Sequence, residues 1–88
     1  MKISQVKKEK ISEQILSVLF NVHPNSKFTA EIARDIARDE EFIKAMMFEL
    51  KEKLLVVPIK KNSHGNFYVR RIRWRLSNKA YDAYTQLS

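Results

Sequence analysis

The sequence predicts a single α+β domain, mostly helical, on three observations. Apolar residues recur at spacings of three and four through most of residues 4–54, the signature of amphipathic helices. From Val56 the pattern changes to β-branched and alternating residues around a loop that holds the only glycine, Gly65, which is hairpin chemistry. Eighty-eight residues with 44% apolar and 31% charged content allow one modest core and argue against disorder. The domain is expected to run over 1–88, with 1–10 either a basic arm or the frayed start of the first helix.

Ser4 to Asn21 reads as a long helix, because Ile11, Ile15, Val18, Leu19 and Val22 lie on one face. Ser4 or Ser12 is the candidate cap, and His23-Pro24-Asn25-Ser26 ends the helix, since the residue before proline avoids helical geometry. Thr29 is the expected N-cap of a second helix over Ala30 to Arg38, with Phe28 packing back as a staple and Ala33, Ile36 and Ala37 buried. Asp39 caps a third helix whose first turn carries Glu40 and Glu41, favourable to the helix dipole. Its apolar stripe is Ile43, Met46, Met47, Leu50 and Leu54, and at that spacing the two methionines are core filler rather than soft metal ligands.

Val57 and Ile59 share one face of the next strand, and Asn62 to Asn66 form the hairpin loop. The return strand, Phe67 to Leu76, alternates: Ile72, Trp74 and Leu76 on the buried side, Arg71, Arg73 and Arg75 on the other. Ser77 caps a short last helix with Ala80, Tyr81, Tyr84 and Leu87 available to bury.

The net charge of +7 is unevenly distributed. Residues 1–10 carry +3, residues 11–57 carry −2, and residues 58–88 carry +6. A localised cationic stripe attracts polyanions, because each neutralised phosphate releases condensed counterions. Four arginines within residues 70–75 exceed what protecting a strand edge from aggregation requires.

Two short helices joined by a tight turn and followed by a basic two-stranded ribbon is the plan of a helix-turn-helix with a wing. On Phe28-Thr29-Ala30-Glu31-Ile32-Ala33, on the register of Ile43, Met47, Leu50, Leu55 and Val56, and on Arg75 to Tyr81, the chain resembles the winged helix-turn-helix domains of small bacterial and archaeal transcription regulators. The resemblance covers about residues 11–87. It implies three helices, a basic β-hairpin wing and a short C-terminal helix. It further implies a third helix entering the major groove and a wing along the phosphates or in the minor groove. Where family members usually carry glycine at the exit of the third helix, this sequence carries Leu54, so the helix is expected to end differently or run longer.

The candidate nucleic-acid-binding residues are Lys44, Phe48 and Lys51 on the outward side of the third helix, with Lys60, Lys61, His64, Arg70, Arg71 and Arg73 on the wing. Arginine suits narrow, electronegative minor grooves, and an outward Phe48 suits a thymine methyl or a protein interface. The third helix alone is a poor sequence reader: Glu40 and Glu41 repel phosphate, and it offers no arginine for bidentate guanine recognition. Duplex DNA is the expected partner, with a homodimer through the first or last helix. The alternatives are a protein assembly module docking through the third helix, and RNA binding through the hairpin with Tyr68.

Catalysis is not expected. There is no cysteine, Ser63-His64 lacks an orienting acid, and His23 and His64 sit in separate loops without a third ligand, so no metal or cofactor is anticipated. Apolar runs such as Val18 to Phe20 and Leu54 to Ile59 fall far short of the ~20 residues of a membrane span. No apolar stretch follows Met1-Lys2-Ile3-Ser4, so no secretory signal is expected either. The expected location is cytoplasmic, associated with the nucleoid.

Overall fold

The computed structural model describes residues 4–59 and 72–87. Its elements run α1 (Gln5–Val22), β1 (Lys27–Phe28), α2 (Thr29–Asp35), α3 (Glu40–Glu52), β2 (Val56–Ile59), β3 (Arg73–Leu76) and α4 (Asn78–Leu87). The fold is α+β and mostly helical, with a three-stranded antiparallel sheet in the order β1-β3-β2.

Ser4 is the cap of α1: its hydroxyl accepts from the Lys7 amide at 3.3 Å. The lysines before Ile11 are therefore helical from Gln5 onward. The buried stripe is Ile11, Ile15, Leu16 and Leu19, rotated from the expected one so that Val18 is only half-buried. The fourth helix accounts for part of that rotation. Tyr81 stacks on Phe20 at 5.1 Å and on His23 at 4.0 Å, while Tyr84 meets Phe20 edge-on at 6.1 Å. As expected, Ser77 caps α4, accepting from the Ala80 amide at 3.1 Å.

Thr29 is not a cap. Phe28 takes that position, its amide donating to Glu31 Oε1 at 2.9 Å, and Thr29 is the first helical residue. Its hydroxyl is needed elsewhere: Trp74 is fully buried and its indole N–H donates to Thr29 Oγ1 at 2.8 Å. The strand β1, which no period in the sequence announces, sets Lys27 opposite Trp74 and Phe28 opposite Arg73. That pairing delivers Thr29 to the indole.

The second helix stops at Asp35 rather than Arg38, and Ala37, expected in the core, is exposed with φ 56°. The Arg38 amide donates to the Ala33 carbonyl at 2.9 Å and the Ala37 amide to the Arg34 carbonyl at 3.2 Å. This is a Schellman termination with the left-handed residue at Ala37. The third helix ends the same way. Leu54, expected at the end of the buried stripe, has φ 63° and is 68% exposed. The Leu55 amide donates to the Leu50 carbonyl at 3.0 Å and the Leu54 amide to the Lys51 carbonyl at 2.9 Å. In both cases a left-handed turn satisfies carbonyls that would otherwise be orphaned.

The core joins all the helices to the sheet. Ile15, Leu19, Ile32, Ile43, Met47, Trp74 and Leu76 are fully buried. In β3 the alternation holds for Trp74 and Leu76 against exposed Arg73, with Ile72 half-buried beside the strand. Arg75 is half-buried and donates to the Leu76 carbonyl at 3.1 Å. Pro58 sits in β2, which is an edge strand, where a missing amide donor is tolerated. The hairpin loop Asn62–Asn66, the strand portion 67–71 and the Leu87 side chain lie outside the described residues.

Candidate nucleic-acid interface

Lys44, Phe48 and Lys51 fall at i, i+4 and i+7 on α3, one face of the helix. Asp39 starts that helix by accepting from the Phe42 amide at 3.1 Å, and exposed Glu40 and Glu41 fill its first turn. Cationic character therefore begins only one turn in, at Lys44. Lys44 is exposed and Lys51 half-buried, and neither has an ion-pair partner among the described residues.

Phe48 is 37% exposed, less than a fully outward residue, because its ring meets Trp74 edge-on at 5.5 Å and 90°. This contact ties the candidate face of α3 to β3. A T-shaped aromatic pair of this kind contributes about 0.5–1.5 kcal/mol beyond area burial. Part of Phe48 thus serves the fold, and the remainder is exposed.

Arg73 stands on the opposite side of β3 from Trp74, exposed, with its guanidinium carbon 4.8 Å from the centre of the Phe28 ring. The β1–β3 pairing makes this possible, since Phe28 is the direct cross-strand partner of Arg73. The cation–π contact orients the guanidinium. Phe28 is a supporting residue that the sequence offered only as a staple; a two-residue strand is too short to show a period.

Lys60, Lys61, His64, Arg70 and Arg71 lie outside the described residues. β2 and β3 pair with Ile59 opposite Arg73, so the described ends of the two strands lie side by side at Arg73.

Two other lysines are paired within the fold. Lys8 pairs with Glu49 at 2.9 Å, and Lys27 pairs with Asp35. Tyr84, beside Glu13, has its hydroxyl held above the ordinary value of 10.0, first by burial and then by the Glu13 carboxylate. Among the described residues no three His, Asp or Glu side chains gather at metal-ligating distance, and no helix is long and apolar enough to cross a membrane. No family model, curated protein or solved structure matches the chain.

Proposed function

We propose that this chain is a small winged-helix DNA-binding protein, most simply a transcription regulator, which grips duplex DNA electrostatically. The observation that carries the reading is the Ile59–Arg73 pairing. It brackets a segment whose sequence holds Lys60, Lys61, Arg70 and Arg71, and it does so beside an exposed arginine braced on Phe28. The four-residue turn 36–39 between α2 and α3 supports the helix-turn-helix part of the plan. In this reading the wing holds phosphates and probes the minor groove, while Lys44, Phe48 and Lys51 approach the major groove. A homodimer through α1 or α4 would extend the short footprint of one copy. The expected location remains the nucleoid.

The test is a salt series of binding to random duplex DNA, single-stranded DNA and RNA. Log affinity should fall linearly with log salt, with a slope near −0.9 per phosphate contacted. Arg73→Ala should weaken binding across all sequences and reduce the slope by about one contact. Absence of binding at low salt, or affinity indifferent to salt, would remove the proposal; preference for RNA single strands or hairpins would move it to RNA. The acidic first turn of α3 favours a protein surface as the second reading, recognisable by amide shifts confined to residues 40–51.

A further inference from the structure

Away from α3 and Arg73, a groove of about 850 Å³ runs between α1 and the α2–α3 turn. Its polar rim carries Lys7, Lys10 and Arg38, and its floor includes the half-buried Val18 and Ile36. Glu13 is the one carboxylate in the lining among the described residues. All three cations are exposed, and none has an ion-pair partner among the described residues. The Schellman turn at Ala37 creates this surface, because it swings Arg38 off the helix while Ile36 remains against the core.

We infer that this groove docks an acidic amphipathic helical segment of a protein partner. From Lys7 to Val18 the wall extends roughly 16 Å at 1.5 Å per residue, the length of about three helical turns. An apolar strip bordered by cations matches a helix with an apolar stripe flanked by carboxylates, the helix-in-groove mode of recognition. A nucleic-acid backbone would satisfy the cations but leave Val18 and Ile36 without an apolar counterpart. None of the residues assigned to DNA contact lines this surface.

The experiment uses the full chain, isotopically labelled, titrated with a synthetic helical peptide of leucines at spacings of three and four flanked by glutamates. A second peptide with lysine in place of each glutamate, and a random DNA duplex, are titrated in parallel. Amide shifts confined to 7–18 and 36–38 with the glutamate peptide alone support the inference. The K7E/K10E/R38E variant should weaken that binding by at least roughly tenfold and should gain binding to the lysine peptide. K7Q/K10Q/R38Q provides the loss without charge reversal should the first variant fail to fold. No binding, shifts elsewhere, or equal binding of both peptides would overturn it. Duplex DNA shifting the same amides would also overturn it, transferring the groove to nucleic acid.

Discussion

Replacing Thr29 with valine tests how the sheet is locked to the helices. The side chains have nearly the same shape, so the substitution removes one acceptor and leaves packing in place. Indole has a single donor, and Trp74, fully buried, gives it to Thr29 Oγ1 at 2.8 Å. Without that oxygen the N–H is stranded away from water, which costs about 1–3 kcal/mol. A domain of this size shifts its melting temperature by roughly 4–8 °C per kcal/mol, so 2 kcal/mol corresponds to a drop of about 8–16 °C. Trp74 is the only tryptophan, and its fluorescence during urea unfolding reports the site directly. Thr29→Ser keeps the hydroxyl and sheds one methyl, for a loss of about 0.8 kcal/mol. In a Thr29→Val/Trp74→Phe double-mutant cycle the two losses should fall short of additivity by about 1 kcal/mol or more, because phenylalanine has no donor to strand. A Thr29→Val protein within ~0.5 kcal/mol of the parent, or additive losses, would refute the argument.

Leu54→Gly should stabilise the protein. The left-handed backbone costs a non-glycine residue roughly 1–2 kcal/mol, glycine's extra freedom in the unfolded chain takes back about 0.5–1 kcal/mol, and the 68% exposed side chain gives up little burial. A net gain of about 0.5–1 kcal/mol should appear as a higher urea midpoint at unchanged slope, and Ala37→Gly should behave alike; a loss at both sites would contradict the strain account. The raised pKa of Tyr84 makes stability depend on alkaline pH. The unfolded phenol ionises near 10 while the folded one still holds its proton, so the contribution is present below about pH 10. It is lost as pH rises through the folded-state pKa. Tyr84→Phe should flatten that alkaline decline. Glu13→Gln should lower the Tyr84 titration, read by phenolate absorbance, only in part, because burial is the larger cause.

Much of the fold could be read directly from residue order. The periods of α1 and α3 located the core positions Ile11, Ile15, Leu19, Ile43, Met46, Met47 and Leu50, since a stripe at helical spacing has no other economical burial. Asp39 and Ser77 were recognisable as caps, because an oxygen three residues before an orphan amide is local chemistry. Helix ends were less legible. Ala37 and Leu54 continue the apolar pattern, and neither is the glycine that normally marks a left-handed exit; their conformation is imposed by the carbonyls of the preceding turn and by what Arg38 and Leu55 must reach. The candidate interface was legible as composition, a cationic C-terminal third, but not as geometry. Phe28 beneath Arg73, and Phe48 against Trp74, join residues 45 and 26 positions apart in the chain.

Residue order alone determined the class of the molecule, its helix-rich core, the caps at Asp39 and Ser77 and the uneven charge that draws attention to polyanions. These depend on neighbours within a turn or two, where backbone geometry and side-chain period act without reference to the rest of the chain. The tertiary structure decided that Thr29 serves an indole instead of a helix end, that two residues at 27–28 become a strand, and that Arg38 turns outward beside Lys7 and Lys10. Each of those outcomes depends on a partner distant in sequence, because a buried donor, a strand edge or an apolar floor acquires a counterpart only when the chain has closed on itself.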